Sequence, residues 1–387
     1  MLTKKYWNIG KMLRAKFLQH FPPLLLRYST HTASKTATMN LKYEHLYKLE
    51  KTPAESSTIT LEEATSALKM MMYIRRMERK AAELYLARLI NGFLHLYSGQ
   101  EAVAVGLKMS LDDGDSVITA YRCHGIACVF GVSARDVLAE LMGRKTGIAS
   151  GKGGSMHMYA KGFYGGDGIV GGQIPIGAGI AFAHKYKGEP NVCFALYGDG
   201  AASQGQIHEA WNMSKLWNLP AVFICENNRY GMGTSADRHS ANPAFYTRGD
   251  CIPGIKANGM NILEVREVCK FARDHALRSG PIILEFETYR YFGHSMSDPG
   301  TAYRTRDEIK GVQENEDPIE LFIKFLIDQQ LMTEPEVAEL RKTTNKQVDT
   351  ELDQAKSDPW PGPEDISAST YVKPLEKMRG KIPWEFH

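Results

Sequence analysis

The sequence has little cysteine and no long apolar run. Its six cysteines show neither the paired spacing of a zinc site nor a secreted disulfide pattern, so we interpret all six as reduced thiols. The longest weakly polar stretch, Gly168 to Ala183, contains Gln173, Pro175 and several glycines and is too short for an ordinary membrane span. We expect it to be a buried loop that enters a helix. These absences exclude a disulfide scaffold and argue against membrane insertion.

Acidic residues are absent from the start of the chain, where the first is Glu44. The first 40 residues contain seven cations: Lys4, Lys5, Lys11, Arg14, Lys16, Arg27 and Lys35. This composition is typical of a mitochondrial transit peptide, which we predict over residues 1–40 together with a disordered start, without a fixed cleavage point. Removal of these seven cations changes the formal net charge from +3 to −4. The mature chain then has no basic footprint for nucleic acid, and we expect it in the mitochondrial matrix.

Two short apolar runs, Val192 to Tyr197 and Ala221 to Cys225, have the length and composition of buried parallel strands. The apolar residues between them follow a helical period and are Ile207, Ala210, Trp211 and Trp217. The segment is therefore a β-α-β unit, and its right-handed crossover makes the strands parallel. Because parallel strands end at the same sheet edge, we expect Asp199 and Asn228, which follow the two runs, to meet there.

Oxygen-bearing side chains and glycines occur together at these two strand ends. Magnesium prefers about six oxygens and usually takes one or two carboxylates plus phosphate and water, and Asp199 and Asn228 supply suitable oxygens. Gly198 and Gly200 let the backbone approach a diphosphate, and the amides from Gly200 to Ala202 lead into a helix whose N-terminus favours anions. A Gly-Asp-Gly triplet alone is an ordinary turn, but the spacing and both strand contexts favour a magnesium and diphosphate site.

Further periodic segments complete an α/β fold with a mostly parallel sheet and helices on both faces. We predict helices from about Leu61 to Ile90, from Ser133 through Met142 and from Pro318 to about Lys356, and strands at Val117 to Ala120 and Pro281 to Thr288. Thr60, with Glu63 three residues later, forms a capping-box pattern at the start of the first helix. Arg122 and Arg290 come just after the two strands, where either could reach an anion. We assign residues 41–387 to one α/β domain with a helical C-terminal extension.

Three motifs now carry a family resemblance. Gly198-Asp199-Gly200, the run Asn227 to Gly233 (NNRYGMG) and the run Gly293 to Gly300 (GHSMSDPG) closely resemble the alpha subunits of pyruvate dehydrogenase. The resemblance extends from about Leu41 to about Asp358 and includes Gly99-Gln100-Glu101-Ala102. It implies the thiamine diphosphate-binding fold, with thiamine diphosphate and Mg²⁺ as cofactors, and oxidative decarboxylation of pyruvate.

The resemblance also implies roles for individual residues. The implied magnesium ligands are Asp199, the side chain of Asn228 and the carbonyl of Tyr230. The implied diphosphate contacts are Tyr121, Arg122, Gly200, Ala201 and Arg290. Gly168 and Val170 match backbone contacts to the aminopyrimidine, His95 and Ala160 match positions that line the substrate and cofactor cavity, and His294 matches the active-site histidine.

The partners are likewise implied by the resemblance. The glutamate that protonates the aminopyrimidine belongs to a separate beta subunit in this family, so we expect an α₂β₂ heterotetramer and no activity from this chain alone. The acetyl unit is passed to a lipoyl group on dihydrolipoyl acetyltransferase. A pyruvate dehydrogenase kinase and a phosphatase complete the expected partners.

The loop after Gly293 resembles a regulatory segment. Ser295 matches the family's main inhibitory phosphorylation site, where a phosphate adds nearly two negative charges, and Ser235 matches a second site. The third site, usually serine in mammalian-type members, is Ala302 here, and Phe292 replaces a histidine found in such members. We expect regulation through the third site to be lost unless Thr301 substitutes for it.

Three alternatives remain open at this point. A branched-chain 2-oxoacid dehydrogenase alpha subunit shares the metal chemistry but carries a different phosphorylation loop. A catalytically silent regulatory or scaffolding subunit is opposed by the intact Asp199, Asn228, Arg122 and His294. A dinucleotide-binding dehydrogenase is opposed because no Gly-x-Gly-x-x-Gly turn follows a strand with an acid about twenty residues later, so we expect no binding of NAD.

Overall fold

The computed structural model describes residues 35–365 and residue 368. The first 34 residues, with six of the seven cations of the predicted transit peptide, lie outside the described residues, so that peptide stays a prediction. Strand β1 (Thr36–Asn40) pairs antiparallel with β3 (Ser56–Thr60). The last five residues of the predicted segment therefore form a strand.

A seven-stranded mixed sheet forms the centre of the described part. In spatial order its strands are β2 (His45–Tyr47), β10 (Gly254–Asn258), β11 (Ile282–Glu287), β7 (Ala221–Asn227), β6 (Cys193–Gly198), β4 (Ser116–Ala120) and β5 (Phe163–Asp167). All neighbours pair in parallel except β2, which runs antiparallel to β10 at one edge. A separate two-stranded ribbon consists of β8 (Tyr230–Gly231) and β9 (Thr234–Ser235). The mostly parallel sheet confirms the predicted class.

Helices cover both faces of this sheet. In chain order they are α1 (Leu61–Leu86), α2 (Glu101–Lys108), α3 (His124–Val129), α4 (Ala134–Leu141), α5 (Gln173–Lys187), α6 (Gly205–Leu216), α7 (Ala236–His239), α8 (Ile262–Ser279), α9 (Arg306–Asn315), α10 (Pro318–Asp328) and α11 (Glu334–Ser357). Helices α5 and α6 contribute to the apolar layer on one face, and α1, α2 and α8 belong to the larger layer on the other.

Alternation along the central strands divides the core into these two layers. On β7, Val222 and Ile224 belong to the larger layer, whereas Phe223 and Cys225 belong to the layer under α5 and α6. Because successive side chains of a strand point to opposite faces, a strand covered on both faces must be apolar throughout. Burial of each large side chain contributes about 1.5–3 kcal/mol. The apolar runs seen in the sequence are thus the core strands, and the predicted β-α-β unit is β6-α6-β7.

Two predicted helices differ in extent from the structure. Helix α1 begins with the predicted capping box between Thr60 and Glu63 but ends at Leu86, because Arg88 takes a left-handed conformation with φ of 59°. The C-terminal segment is two helices rather than one. Helix α10 ends at Asp328, Gln330 has φ of 54°, and Glu336 caps the start of α11.

The stretch from Gly168 to Ala183 was predicted as a buried loop entering a helix, and only the helix is confirmed. Ile169 and Val170 are 72% and 41% exposed, and α5 begins at Gln173. The apolar character of this loop therefore does not come from packing in the core. In the described part of the chain no helix is both long and apolar enough to cross a membrane.

Candidate active site

A cavity of about 210 Å³ lies where β4, β6 and β7 reach their carboxyl ends. The sequence-predicted residues that line it are Tyr121, Val170, Asp199, Gly200, Ala201, Asn228, Tyr230, Arg290 and His294. Crossover connections bring these loops to one edge, although they are separated by up to about half of the chain. The topology therefore brings most of the predicted site residues together.

Four predicted residues do not line this cavity directly. His95 packs its ring against Tyr121, and Arg122 is buried behind it with its donors on backbone carbonyls. Gly168 is exposed in the loop after β5, and Ala160 forms an isolated bridge with Phe163 beside the larger core layer. Of these, His95 and Arg122 contact the lining residues Tyr121 and His294.

The two polar strand ends meet because small residues let their loops approach. A Cβ atom on Gly200 would lie 3.0 Å from the Cα of Gly231, and one on Gly231 would lie 3.0 Å from the Cα of Gly200. This contact joins the loop after β6 to the ribbon after β7. The predicted helix N-terminus is displaced, because a 3₁₀ turn over residues 201–203 follows Gly200 and α6 begins only at Gly205.

Asp199 and Asn228 present oxygens suited to a hard cation. Asp199 is 1% exposed, and its carboxylate accepts a hydrogen bond from His239 at 3.2 Å. The amide nitrogen of Asn228 donates to Gln100 at 3.1 Å, while its Oδ1 is buried with no hydrogen-bond partner among the described residues. A buried oxygen without a donor is costly unless a ligand satisfies it. The pair therefore fits an oxygen-ligated metal such as Mg²⁺.

The third predicted metal ligand has a competing contact. The carbonyl of Tyr230 accepts a hydrogen bond from Arg290 Nη1 at 3.3 Å. A carbonyl has two lone pairs, so one remains for a cation. Among the described residues no cluster of three or more histidine, cysteine or acidic side chains could hold a metal. A metal here must therefore take additional oxygens from its other ligands.

Buried guanidinium groups give the site a positive field. Arg122 is 6% exposed and donates to the carbonyls of Leu96 at 2.6 Å and of His294 at 2.8 Å. Arg290, 1% exposed, donates to the carbonyl of Met232 and to the hydroxyl of Tyr303. Neither makes a salt bridge to a carboxylate of the described residues. Burial, with the nearby Arg290 charge, lowers the pKa of Arg122 to about 10. Uncompensated cations at a cavity favour an anionic ligand.

Two imidazoles and a phenol form an aromatic cluster beside the cavity. The ring centroid of His95 lies 4.6 Å from that of Tyr121 and 5.3 Å from that of His294. Burial is the main cause that lowers the pKa of His95 to about 3 and of His294 to about 4, and the Arg122 charge adds to both shifts. Both rings are therefore neutral at physiological pH and can accept or donate a hydrogen bond through their nitrogens.

A buried polar network supports His95 from behind. The His95 amide donates to Ser155 Oγ at 3.2 Å, and that hydroxyl lies 2.9 Å from His124 Nε2. His124 Nδ1 in turn lies 3.1 Å from both carboxylate oxygens of Glu78, which also accepts the amide of Tyr97. The network fixes the backbone that carries His95. Glu78 was not predicted from the sequence, since it lies in the middle of α1 with no motif around it.

A second carboxylate, Glu226, lies behind the metal-ligating candidates. It is 6% exposed and accepts hydrogen bonds from Tyr97 Oη at 2.6 Å and Gln100 Nε2 at 3.1 Å. Burial raises its pKa to about 6, although these two hydrogen bonds oppose the rise, so the group is ionised above that pH. Gln100 belongs to a motif of the family resemblance, but no role was predicted for it. Glu226 was not predicted at all, although its place just before Asn227-Asn228 was a usable signal.

The loop that contains the predicted phosphorylation site is closed in this structure. Ser295 is 5% exposed, and its hydroxyl lies 2.8 Å from that of Ser297. Asp298 holds the loop by accepting the amides of His294 at 2.7 Å and Gly300 at 2.8 Å and the hydroxyl of Tyr303 at 2.6 Å. Access to Ser295 therefore requires opening of this loop.

The family model described as "Dehydrogenase E1 component" matches residues 69–364, which is more than half of the chain. The chain belongs to the dehydrogenase E1 component family. E1 components of this family are thiamine diphosphate-dependent. The matched range contains all of the cavity-lining residues named above.

Relatives of this E1 component come from animals and plants. It is 50% identical over 353 residues to a testis-specific mitochondrial pyruvate dehydrogenase E1 component subunit alpha of Rattus norvegicus, covering 91% of this chain and 90% of that protein. It is 52% identical over 350 residues to a probable mitochondrial subunit alpha of Caenorhabditis elegans, covering 90% and 88%. It is 53% identical over 326 residues to the mitochondrial subunit alpha of Pisum sativum, covering 83% and 81%.

Proposed function

We propose that this E1 component is the alpha subunit of a pyruvate dehydrogenase. With thiamine diphosphate and Mg²⁺, the assembled enzyme decarboxylates pyruvate and reductively acetylates a lipoyl group. Carbon dioxide leaves, two electrons reduce the lipoyl disulfide, and the acetyl unit is transferred to one of its sulfurs. The names and the 50–53% identity of relatives from two animals and a plant support this assignment.

The observation that carries the proposal is that two kinds of group occur together at one cavity. One is a buried amide oxygen with no hydrogen-bond partner among the described residues, and the other is a pair of buried guanidinium groups, one lining the cavity and one behind it, with no carboxylate partner there. Asn228 Oδ1 and the carboxylate of Asp199 are suited to Mg²⁺, while Arg122 and Arg290 supply positive charge for a diphosphate. Tyr230 would add its carbonyl to the metal, and Tyr121, Gly200 and Ala201 would contact the diphosphate. Of the other positions that the family resemblance implies, Gly168 and Val170 would contact the aminopyrimidine and Ala160 the wider cavity.

The cofactor, when bound, supplies the carbanion and the electron sink for decarboxylation. The chain supplies orientation and proton-handling groups. His294 lines the cavity as a neutral imidazole, so it can hold a hydrogen bond to substrate without adding a positive charge. His95 packs against Tyr121 and His294 and so supports two side chains that line the cavity. Arg122 contributes through the His294 carbonyl that it holds.

The proposed partners follow from the relatives' description as alpha subunits. We place a beta subunit opposite this chain in an α₂β₂ assembly, with dihydrolipoyl acetyltransferase as the acetyl acceptor and the mitochondrial matrix as the compartment. An exposed apolar surface supports a subunit contact. It includes Phe182, Tyr186 and Trp217, whose rings pack together and are 47%, 84% and 47% exposed.

Regulation by a kinase and a phosphatase belongs to the same proposal. Ser295 directly follows His294, so a phosphate on it would lie next to the active-site cluster and its negative charge would repel an anionic substrate. The bulk of the phosphate would also prevent closure of the loop that Asp298 holds. Ser235 begins the turn that carries His239 to Asp199, so a phosphate there would act near the proposed metal.

The test is carbon dioxide release by this chain co-purified with its beta subunit. We expect turnover of pyruvate that needs thiamine diphosphate and Mg²⁺ and falls by at least about 100-fold in Asp199→Ala, equivalent to about 2.7 kcal/mol or more. Asp237→Ala, an exposed acid nearby, is the matched control. Preference for a branched-chain 2-oxoacid would contradict the pyruvate assignment, and no turnover by a folded assembly would indicate a silent scaffold. Mass spectrometry after kinase treatment tests whether phosphate on Ser295 accompanies loss of turnover.

A further inference from the structure

The side chain of Asn228 must be held in one of two orientations to bind a metal. An amide has an oxygen that accepts and a nitrogen that only donates, and the two ends have nearly the same shape. Asn228 directs its nitrogen to Gln100 Oε1 at 3.1 Å and leaves Oδ1 without a partner among the described residues. If the amide turned over, an N–H group would replace the oxygen, and a cation could not bind there. Packing alone does not distinguish these orientations.

The orientation of Asn228 depends on that of Gln100. Gln100 is 1% exposed, and its nitrogen donates to Glu226 Oε1 at 3.1 Å, so its oxygen is directed to Asn228. Because a carboxylate can only accept, the nitrogen of Gln100 must be the end that faces Glu226. Tyr97 donates its hydroxyl to the same Glu226 oxygen at 2.6 Å, which holds the carboxylate in place.

The backbone beside Gln100 is built for this arrangement. Gly99 has φ of +100°, and a Cβ atom there would lie 2.2 Å from the carbonyl oxygen of Tyr289. Its amide donates to the carboxylate of Glu101, which also receives two hydrogen bonds from Arg75. Gln100 therefore starts α2 from a fixed point, and its side chain has little freedom to find other partners.

We propose that Glu226 and Gln100 are positioning residues that fix the amide of Asn228 with its oxygen toward the metal. The carboxylate of Glu226 only accepts hydrogen bonds, so it holds the Gln100 amide with its nitrogen toward Glu226. The Gln100 oxygen then faces Asn228 and holds the nitrogen of the Asn228 amide. This inference rests on the proposed magnesium site at Asp199 and Asn228. The proposed role of these two residues differs from metal ligation, because neither Glu226 nor Gln100 lines the cavity.

The experiment measures cofactor binding rather than turnover. The assembly of this chain with its beta subunit, stripped of cofactor, is titrated with Mg²⁺ at fixed thiamine diphosphate, and binding is followed by calorimetry and by the shift in unfolding temperature. In Glu226→Gln the new amide can place its N–H₂ group where Oε1 accepts from both Gln100 and Tyr97. Gln100 can then turn its oxygen toward that N–H₂ group, and the Tyr97 hydroxyl can accept from it, so the direction of the Gln100 amide is no longer fixed. We expect the apparent Mg²⁺ affinity to fall by about ten-fold or more.

Glu285→Gln is the matched control. Glu285 is a fully buried carboxylate on the neighbouring strand β11 and accepts hydrogen bonds from Asn227 and from the amide of Tyr246. It makes no hydrogen bond to Gln100 or Asn228 in the described part of the chain. The two variants make the same chemical change at a similar depth, so a difference in Mg²⁺ affinity between them reports on the Asn228 amide rather than on folding.

The decisive arm repeats Glu226→Gln in an Asn228→Asp background. A carboxylate at position 228 presents oxygen in either orientation, but it faces the Gln100 oxygen as long as Glu226 is present. Replacement of Glu226 then frees Gln100 to turn and donate to that carboxylate. We therefore expect Glu226→Gln to weaken Mg²⁺ binding in the natural background and to strengthen it in Asn228→Asp.

Each outcome bears on the inference. A reversal of sign between the two backgrounds supports it. Equal losses in both, or no change in the natural background, overturn it while leaving the proposed function intact. If the unsubstituted assembly binds thiamine diphosphate with no dependence on Mg²⁺, the metal site itself is overturned and this inference with it. Unfolding curves recorded without cofactor show whether each variant is folded.

Discussion

At the residue scale, the buried histidines make stability depend on pH. Burial lowers the pKa of His95 to about 3 and of His294 to about 4, whereas an imidazole in an unfolded chain has a pKa of about 6.5. Between these values the unfolded state binds more protons than the folded state. The free energy of unfolding therefore decreases as the pH falls from about 6.5 toward 4, and this loss is absent above about 6.5.

The variant His95→Asn tests this dependence. Without the imidazole the unfolded state takes up about one proton fewer, so we expect a less steep loss of stability in acid. Urea unfolding of the cofactor-free assembly at a series of pH values gives the slope. His45→Asn, at an exposed histidine of the edge strand, is the control for loss of an imidazole. A slope in His95→Asn as steep as that of the natural chain would contradict the assignment of a buried, neutral ring.

At the scale of single elements, helix α4 organises the glycine-rich loop that follows it. The carboxylate of Glu140 is 1% exposed and accepts four backbone amides. They belong to Ala149 at 2.8 Å, Gly151 at 2.8 Å, Gly153 at 2.6 Å and Gly154 at 3.0 Å. Glycine-rich backbone has high conformational entropy, so this segment needs a fixed acceptor to stay ordered. The loop leads directly to Ser155, which supports His95.

Glu140→Gln is expected to loosen this loop. The substitution exchanges one acceptor oxygen for a donor, which leaves two of the four amides facing an N–H group and costs about 1–3 kcal/mol. Amide hydrogen exchange over residues 149–154 should become faster. Amides of the central strand β7 serve as the internal control, because the loop does not form part of the sheet. Unchanged protection of the loop would show that the four hydrogen bonds are not what orders it.

At the scale of the whole molecule, an exposed apolar surface remains on the described part of the chain. Tyr186 is 84% and Leu216 72% exposed, and both lie at the ends of the helices that cover one face of the sheet. Apolar residues grouped in this way mark an interaction surface more often than scattered ones do. We assign this surface to the proposed subunit contact.

Tyr186→Glu is expected to weaken assembly by about ten-fold or more, because an aromatic residue in an interface commonly contributes over 1 kcal/mol and a buried charge adds a cost. The adjacent Lys187→Glu, also on the exposed end of α5, controls for added negative charge. The dissociation constant of the assembly is measured for both variants by mass photometry over a dilution series. Equal effects of the two variants would place the contact elsewhere.

Much of the fold was predictable because the signals are local. Apolar runs marked the core strands β6 and β7, and a capping box marked the start of α1. Helix ends were less predictable, since Arg88 and Gln330 enter left-handed conformations that their residue types do not favour. The prediction that the loop at Ile169 and Val170 is buried was wrong, because apolar composition alone does not show whether a segment packs in the core of its own chain.

The sequence by itself determined the positions of Asp199 and Asn228 at strand ends, the family motifs and the order of the β-α-β unit. Only the tertiary structure decided how the site is supported. Gln100 and Glu226 are 126 residues apart, and Gln100 and Asn228 are 128 residues apart. Hydrogen bonds over such separations depend on distance and on donor direction after the sheet has formed, and neither leaves a local pattern in the chain.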